Sequence, residues 1–330
     1  MNITPRLLVS LTVVVLTLQL LTSGCSKDEI EPECYQNQDT TGTQTSLGHA
    51  YIEGNYLGGL VPEPCNGHSE LCTKRFDEIV FALTHNSHAN TDDFSFLAAN
   101  QNGTVGEQLA AGVRGLGIKP YWVEGNFSCG GGADGMYLYH GDPFLGCVSF
   151  ASYLNTVKTF LDNNPREVLL MTIEPGASIA QMDEVFQSTG LAAYMFSHTN
   201  GEEFPTLLEM IDSNKRLFIL TTNSDADQHP GYHSYWDYTV DVNYDIQNAS
   251  DFDCTYDRGN PDGYFYQLNH FITILSPQPN AAEEINQFDF LYNRALDCWQ
   301  ENNRKPNFIM LDFYATGDVV QVVDSLNLNN

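Results

Sequence analysis

Residues 160–175 read FLDNNPREVLLMTIEP, and this stretch contains the pattern that decides the fold. It begins at the end of an amphipathic segment, residues 151–161, and continues into the largely apolar run 168–173. A short run of this kind is typical of a strand that is buried on both faces of a parallel sheet. The run stops before Glu174, so this carboxylate is predicted to lie at the end of a buried strand.

The same alternation recurs along the chain. An amphipathic segment at 281–302 predicts a further helix, and buried strands that alternate with helices indicate a parallel sheet. Because no clear linker interrupts residues 61–330, one barrel is a more economical interpretation than two domains. We therefore predict an α/β fold in which residues 61–330 form a somewhat irregular TIM-type (β/α)8 barrel. The other apolar runs that we interpret as buried strands are residues 79–83, 113–118, 136–139, 217–220 and 308–311.

The N-terminal residues predict export. Arg6 precedes an apolar run at 7–21, which is too short to span a bilayer comfortably but suits a secretory signal. Thr-Ser-Gly and then Cys25 follow, which resembles the lipobox of bacterial lipoproteins, where the cysteine is lipidated. We expect residues 1–24 to be a signal peptide and 25–60 a flexible tether, with ordinary secretion or an uncleaved anchor as alternatives. The expected location is the bacterial outer membrane, through the N-terminal lipid, at the cell surface or facing the periplasm.

The charge balance limits the partners of the chain. It has 14 basic and 42 acidic side chains, which gives a formal net charge of −28. Such a chain repels phosphate backbones, and it has neither a basic stripe nor a nucleic-acid-binding motif, so we expect no nucleic-acid partner. Anionic membranes should repel it as well.

The cysteines suit an oxidising compartment, where disulfides form. Their spacing does not determine the connectivity. No CxxC pair occurs, which argues against a zinc site. The disulfides that we expect are Cys65–Cys72, Cys129–Cys147 and Cys254–Cys298.

In a barrel of parallel strands, the chemistry takes place at the carboxyl ends of the strands. Imidazole titrates near neutrality, so one ring can take a proton from an attacking hydroxyl while another protonates the departing oxygen. A carboxylate can fix the tautomer of the base, and a cation can stabilise the charge of a phosphorane-like transition state. Residues of all these types stand at the predicted strand ends, which predicts general acid–base cleavage of a phosphodiester. They are His85, Lys119, His140, Glu174 and Asp312.

An ordered series of motifs resembles the X region of phosphatidylinositol-specific phospholipases C. The resemblance covers most of residues 65–320, and it implies an irregular TIM-type barrel that cleaves a phosphatidylinositol-like lipid. The inositol hydroxyl of the substrate would attack phosphorus, giving a cyclic inositol phosphate and diacylglycerol. The motifs are CNG at 65–67, THNSH at 84–88, QLAAGVRGL at 108–116, LYHG at 138–141, FLDNNPREVLLMTIE at 160–174, DCT at 253–255 with Arg258, LNHF at 268–271, PNF at 306–308 and DFY at 312–314.

The resemblance also implies roles for individual residues. His85 matches the general base, His140 the general acid and Asp312 the carboxylate that supports the base. Arg258 could clamp a phosphate or an inositol hydroxyl through its planar fork, and a loop salt bridge is an equal alternative. His270 ends a segment that could form a strand, where it would line the mouth and help to bind the substrate.

Two positions distinguish this chain from the calcium-using branch of the family. That branch has carboxylates where this chain has Gly117 and Lys119, whereas Asn86 and Glu174 match it. Half of the calcium ligand set is missing, so we predict catalysis without a metal. Lys119 would pair with Glu174 and face the phosphate, while Asn86 and Glu174 help to bind the substrate. The alternative is that Lys119 points outward and another loop, for example at Glu124 or Asp142, supplies the missing oxygens.

The leading hypothesis is therefore a lipoprotein phosphodiesterase of the phosphatidylinositol phospholipase C type that is monomeric and uses no cofactor. Gly117 replaces an acidic residue found in both branches, which favours an alternative, a lipid- or glycan-binding protein that keeps the barrel without turnover. A phosphodiesterase for another glycerophospholipid is a further alternative. The presence of His85, His140 and Asp312 favours an enzyme, because a pure binder does not need a proton-transfer set.

Overall fold

The computed structural model of the chain describes residues 63–124 and 134–329. The predicted signal peptide at 1–24, the lipidation site Cys25 and the tether at 25–60 lie outside these residues. Within the described residues, none of the helices has the length and apolar character needed to cross a membrane.

The described residues form short strands and α-helices, with strand and helix alternating through much of the chain. The strands are β1 Phe81–Thr84, β2 Gly115–Ile118, β3 Pro120–Val123, β4 Gly135–Leu138, β5 Val148–Ser149, β6 Leu169–Ile173, β7 Leu217–Thr221, β8 Tyr232–Ser234, β9 Thr239–Val242, β10 Tyr256–Gly259, β11 Phe265–His270, β12 Thr273–Ile274, β13 Ser276–Pro277 and β14 Phe308–Leu311. The helices are α1 Val105–Ala110, α2 Phe150–Asn163, α3 Ile179–Thr189, α4 Leu207–Asp212, α5 Tyr235–Tyr238, α6 Pro279–Ile285, α7 Phe288–Asn302 and α8 Val319–Leu328.

The main sheet has nine strands in the order β10-β9-β11-β14-β1-β2-β6-β7-β8. β10 runs antiparallel to β9, and every other neighbouring pair is parallel. Apart from β10, the strands follow chain order around the sheet, with an opening between β8 and β9. Parallel neighbours need a crossover of about a dozen residues or more, whereas α5, which joins β8 to β9, has 4. The α/β, TIM-type fold is thus confirmed as a curled sheet that stays open at this joint.

The structure corrects the prediction that residues 136–139 form a barrel strand. β4 pairs with β3 and β5 in a separate three-stranded antiparallel sheet. The chain leaves the main sheet at Lys119, because Pro120 has no N–H with which to continue the ladder of β2. β3 and β4 therefore form an arm beyond the carboxyl end of β2, and His140 follows this arm rather than a barrel strand.

The helix predicted over 281–302 is divided in two at Asn286. The side-chain amide of Asn286 donates to the backbone carbonyl of Asp312 at 2.9 Å, and its own carbonyl accepts from the N–H of Asp318 at 2.9 Å. The break between α6 and α7 thus lets Asn286 hold the segment that follows β14.

The interior of the barrel changes from apolar to polar along the strands. Side chains alternate between the two faces of a strand, so every second residue points inside. Polar side chains lie nearer the carboxyl ends, where Asn269 donates to the carbonyl of Val242 at 2.7 Å. Catalytic groups at this end would therefore stand above a polar layer. At the other end, buried aromatic rings fill the barrel, namely Phe76, Phe81, Phe218, Phe265 and Phe308.

Two predicted disulfides are confirmed, Cys65–Cys72 and Cys254–Cys298. The second joins the segment before β10 to α7 across 44 residues, a loop whose closure stabilises the fold by about 4 kcal/mol in the chain-entropy treatment. Cys129 lies outside the described residues, so its pairing with Cys147 stays a prediction.

Candidate active site

The register of the sheet brings the first predicted histidine next to its carboxylate. β1 and β14 pair with Thr84 opposite Leu311, so His85 and Asp312 leave the sheet side by side. Oδ1 of Asp312 lies 2.9 Å from Nδ1 of His85, and both side chains are largely buried. Burial alone would lower the pKa of His85, but the charge and the hydrogen bond of Asp312 outweigh burial and raise this pKa.

Two amide side chains close a hydrogen-bonded ring around this pair. Asn100 donates to Oδ1 of Asp312 at 2.9 Å, and Asn86 donates to Oδ1 of Asn100 at 3.3 Å. The Asn86 amide also lies 3.1 Å from Nε2 of His85. Because Nδ1 faces a carboxylate and Nε2 faces a donor, the neutral ring carries its proton on Nδ1. Phe271 stacks on the imidazole ring of His85 with the ring centroids 4.2 Å apart, so it covers one face of that ring.

Two adjacent buried amides, Asn100 and Gln101, tie the strand ends together, and sequence analysis did not select them. Gln101 Nε2 donates to the carbonyl of His85 at 2.7 Å and to that of Leu311 at 3.0 Å. The N–H of Phe313 donates to the carbonyl of Asn100 at 2.7 Å. Phe313 has a φ of +55°, a strained conformation for this residue type that turns the chain sharply after β14. Neither residue follows a predicted strand, so the sequence gives no sign of their role. Their hydrogen bonds depend on tertiary packing.

His140 reaches the same site from the β3–β4 arm. Its Nδ1 lies 2.8 Å from the carbonyl oxygen of Ala98, which belongs to the same segment as Asn100. A carbonyl only accepts, so Nδ1 carries a proton and Nε2 is the nitrogen available to a substrate. Burial lowers the pKa of His140, and the nearby His85 lowers it further, against the opposing effect of the Ala98 carbonyl. The structure thus brings the two predicted imidazoles together.

The predicted pair of Lys119 and Glu174 is formed at the neighbouring strand ends. β2 and β6 pair with Ile118 opposite Ile173, so both side chains leave the sheet together. Nζ of Lys119 lies 3.2 Å from Oε2 of Glu174 and 5.9 Å from the centre of the Tyr121 ring. Burial would lower the pKa of Lys119, but Glu174 and Tyr121 raise it, so the ammonium stays charged at neutral pH. β1, β2 and β6 are parallel neighbours, so this pair leaves the same end of the sheet as His85. The charge of Glu174 also favours the protonated form of both imidazoles.

The residues present do not fit the calcium site of the related branch. Glu174 is the acidic residue that this chain shares with the calcium-using branch. The ammonium of Lys119 already lies beside its carboxylate and supplies a positive charge there. A Cβ at Gly117 would lie 2.9 Å from the carbonyl oxygen of Thr84, so no carboxylate side chain has room there. Glu124, considered as a substitute, accepts from Nε1 of Trp122 at 3.1 Å. In the part of the chain that the structure describes, no three His, Cys, Asp or Glu side chains cluster in a way that could hold a metal.

Arg258 forms a salt bridge rather than a free clamp. It lies on β10 opposite Asp241 of β9, where its Nε donates to Oδ1 at 3.2 Å and its Nη2 donates to Oδ2. The rings of Tyr244 and Trp236 lie 4.2 and 5.2 Å from the centre of the guanidinium. The salt-bridge alternative from the sequence is therefore the one that the structure shows, and a contact of Arg258 with substrate stays a prediction.

The structure corrects the prediction that His270 lines the mouth. The ring is completely buried, with Nε2 donating to the carbonyl of Ile285 at 3.0 Å and Nδ1 accepting from Arg294 at 2.9 Å. Burial and the charge of Arg294 lower the pKa of His270 well below its ordinary value. Alternate residues of β11 face opposite sides, so Asn269 points into the barrel and His270 points toward α6 and α7.

These observations define an α/β barrel of the phosphodiesterase-like class, with two imidazoles, a carboxylate and a lysine at its mouth. The family model described as PI-PLC X 1 matches residues 71–327. The chain therefore belongs to the PI-PLC X family.

Individual relatives agree with this assignment. The chain is 30% identical to PI-PLC X domain-containing protein 1 of Arthroderma benhamiae, over 80% of this chain and 89% of that protein. It is 27% identical to a protein of the same fungus named as an uncharacterized secreted protein, over 80% of this chain and 64% of that protein. Among solved structures, phosphatidylinositol-specific phospholipase C from Listeria monocytogenes matches with a TM-score of 0.53 and 17% identity, over 78% of this chain and 95% of that one. The last similarity shows the fold.

Proposed function

We propose that the protein cleaves the phosphodiester of phosphatidylinositol-like lipids by general acid–base catalysis. The observation that carries this proposal is that one segment of the chain contacts both imidazole sites. One segment contacts His140 through Ala98 and the His85–Asp312 pair through Asn100. Nδ1 of each ring points to an acceptor, so Nε2 is the nitrogen that faces the substrate. At His85 the attacking hydroxyl would replace the Asn86 amide at Nε2, and at His140 Nε2 must gain a proton before the ring can act as the acid. The family membership and the name of the fungal relative support the same substrate class.

In the proposed reaction, His85 takes the proton of the inositol hydroxyl next to the phosphodiester, and the hydroxyl oxygen bonds to phosphorus. The bond from phosphorus to the glycerol oxygen breaks, and His140 protonates that oxygen. Diacylglycerol and a cyclic inositol phosphate then leave. Asp312 keeps Nε2 of His85 free of a proton and stabilises the ring once it is charged. Lys119 offers positive charge to the non-bridging oxygens.

Three further residues are proposed to bind the headgroup. Asn86 lies beside Nε2 of His85, where its amide can donate to a phosphate oxygen. Glu174 is half-exposed next to an ammonium, so the pair presents an acceptor and a donor to inositol hydroxyls. Arg258 is half-exposed above the polar layer of the barrel.

The proposed reaction needs no metal ion, because the ammonium of Lys119 supplies the positive charge. We expect the rate to be unchanged by EDTA. A rate that falls in EDTA and returns with calcium would contradict this part of the proposal.

The proposal includes the location of the protein. Residues 1–24 would be removed, lipid on Cys25 would hold the chain at the bacterial outer membrane, residues 25–60 would form the tether, and residues 61–330 would act as a monomeric catalytic domain. The lipobox-like sequence supports the anchor, and the name of one relative supports export. The intact mass of the purified chain tests this, since retention of residues 1–24 would contradict it.

Phosphorus NMR of phosphatidylinositol with the purified chain tests the reaction. The wild-type chain should produce the signal of a cyclic phosphate, and His140→Ala should not. His68→Ala is the matched control, because Nε2 of His68 lies 3.1 Å from Oδ1 of Asp324 at the other end of the barrel. Binding without any product would contradict the proposal and favour the alternative of a lipid- or glycan-binding protein, which the missing carboxylate at Gly117 suggests.

A further inference from the structure

Among the described residues, Arg294 of α7 is a buried cation without an acidic partner. Arg294 is 9% exposed, and its guanidinium lies 4.1 Å from the centre of the Phe252 ring. Nη1 donates to Nδ1 of His270 at 2.9 Å, whereas Nε and Nη2 have no hydrogen-bond partner within the described chain. Burial lowers the pKa of Arg294 to about 10, so the guanidinium stays charged at neutral pH. A buried charge that is only partly paired costs stability, so stability does not explain its presence.

Arg294 fixes the tautomer of His270. A guanidinium only donates hydrogen bonds, so Nδ1 of His270 must accept and the proton of the neutral ring lies on Nε2. That N–H donates to the carbonyl of Ile285, with 3.0 Å between the nitrogen and the oxygen. Burial and the charge of Arg294 lower the pKa of His270 well below its ordinary value, which keeps the ring neutral. The guanidinium therefore directs one N–H of the ring at one carbonyl.

This carbonyl belongs to the break between α6 and α7, which also holds the segment of Asp312. Ile285 is the last residue of α6, and Asn286 follows it. The side-chain amide of Asn286 donates to the backbone carbonyl of Asp312 at 2.9 Å. β11 and β14 are parallel neighbours, with His270 opposite the residue before Asp312. The helix break is therefore bonded to the carboxyl ends of two adjacent strands.

Phe271 connects this network to the candidate active site. It follows His270 at the end of β11, and its ring stacks on His85 with the centroids 4.2 Å apart. On its other side, Ile272 belongs to the same buried apolar cluster as Ile285. Both chain neighbours of Phe271 are thus tied to the last residue of α6. A shift of this strand end relative to the helix break would move the ring that covers His85.

We infer that Arg294 and His270 are positioning residues for His85. Arg294 selects the tautomer of His270, and His270 in turn anchors the end of β11 at Ile285. The anchored strand end holds Phe271 against the reacting ring. Both positioning residues are buried, so they act on the reaction without touching the substrate. This inference rests on the proposed function, because it explains how the ring proposed as the base is held in place.

Arg294→Met tests the inference, because methionine fills irregular buried space and donates no hydrogen bond. Without the guanidinium, Nδ1 of His270 can take the proton and the hydrogen bond to Ile285 is lost. We expect kcat on a water-soluble inositol phosphodiester to fall about tenfold with KM unchanged. A stacked aromatic ring shields the protons of the ring it covers, so the NMR signals of the His85 ring should move downfield as Phe271 shifts. The midpoint of thermal unfolding should change by less than about 3 °C, because the cost of the buried charge is removed with it.

The matched control is Arg216→Met, the same substitution at the amino end of the barrel. Arg216 is buried just before β7, and its guanidinium lies 4.9 Å from the centre of the Tyr194 ring. It donates to the carbonyls of Leu161 and Asn164, at 2.9 Å each. Because these carbonyls lose their donor, the unfolding midpoint should fall by about 5 °C or more. The value of kcat and the signals of the His85 ring should stay unchanged.

Substitutions of His270 test the tautomer step. Glutamine carries a donor amide that has no tautomers, so Arg294→Met/His270→Gln should recover kcat to within about threefold of the wild-type value. His270→Leu cannot donate, so it should lose as much activity as Arg294→Met, and the combination of these two substitutions should lose little more. The comparison of His270→Gln with His270→Leu tests the hydrogen bond to Ile285 even where Arg294→Met does not fold.

Unchanged His85 signals in Arg294→Met would overturn the inference. Equal losses of activity and stability in the two arginine variants would overturn it as well, because they would show a purely structural role. A variant Arg294→Met/His270→Gln that is no more active than Arg294→Met would contradict the tautomer step. NMR separates this inference from the proposed function. If the wild-type chain cleaves no phosphodiester but the His85 signals still shift in Arg294→Met, only the proposed function fails, whereas cleavage by Arg294→Met at the wild-type kcat would sink only the positioning role.

Discussion

The two imidazoles of the mouth lie in opposite surroundings. His85 follows a barrel strand, where Asp312 binds its ring and Phe271 covers one face. His140 follows a hairpin arm, and the hydrogen bond described for its ring is to the carbonyl of Ala98. The pKa of His85 is raised, mainly by Asp312 acting against burial, whereas burial lowers the pKa of His140.

This difference teaches which part of the site is preformed. The raised pKa of His85 favours the protonated form of the proposed base, and the lowered pKa of His140 favours the neutral form of the proposed acid. Both shifts therefore oppose the productive arrangement in the free protein. An anionic phosphodiester between the rings would raise the pKa of His140. The base side is therefore built by the fold, and the acid side is completed by the substrate.

Loss of either imidazole should have the largest effect. We expect His85→Ala and His140→Ala each to lower kcat/KM by about 10³-fold to 10⁴-fold, with the double variant little worse because the two rings act as a unit. A substrate with an aryl leaving group, which departs without a proton, should restore His140→Ala but not His85→Ala. Initial rates on both substrates measure this. Equal rescue of the two variants would contradict the assignment of His85 as the base and His140 as the acid.

Removal of the carboxylate should have the next largest effect. Asp312→Asn leaves His85 buried but takes away the charge that raises its pKa, so this pKa should fall below its ordinary value of 6.5. The upper limb of the bell-shaped pH profile of kcat/KM should move to lower pH, and the lower limb should move less. The maximal rate should fall about 100-fold. An upper limb that stays in place would show that Asp312 does not control the titration.

A smaller effect is expected from the loops that support His140. Gly146 pairs with Phe94, which lies shortly before Ala98 in the same segment. A Cβ at Gly146 would lie 2.5 Å from the carbonyl oxygen of Asp93, so Gly146→Ala must push these two segments apart and shift Ala98. We expect the free energy of unfolding to fall by about 1–3 kcal/mol and kcat/KM to fall about tenfold.

The control for this substitution is Gly67→Ala. Gly67 has a φ of +87° and no atom within 4 Å of an added Cβ, so it isolates the backbone cost. Thermal unfolding and initial rates of both variants are compared. If Gly146→Ala were as active as Gly67→Ala, the position of His140 would not depend on these loops.

The half of the site on barrel strands could be predicted from the sequence. His85, Lys119, Glu174 and Asp312 each follow a short, largely apolar run, and the position of catalytic groups at the carboxyl ends of parallel strands needs only those runs. β8 to β11 were not predicted as a set, because polar side chains such as Asp241 face the barrel interior and interrupt the apolar pattern.

The remaining features depend on tertiary structure. The wrong prediction for His270 comes from strand parity, since a shift of one residue along β11 moves a side chain from the mouth to the helices. Asn100 and Gln101 lie in an irregular loop whose hydrogen bonds exist only once β1 and β14 are paired. The arm that carries His140 breaks the alternation of strand and helix, so its pattern resembles that of a barrel strand.

The most direct test of the central claim is an NMR titration of the histidine rings in the presence and absence of inositol 1-phosphate. The signals are assigned with His85→Ala and His140→Ala. We predict a pKa above 6.5 for His85 and below 6.5 for His140 in the free protein, with both signals shifting and the pKa of His140 rising when the ligand binds. A ligand that moves the signal of one ring and leaves the other unchanged would show that the two imidazoles do not face the same phosphate.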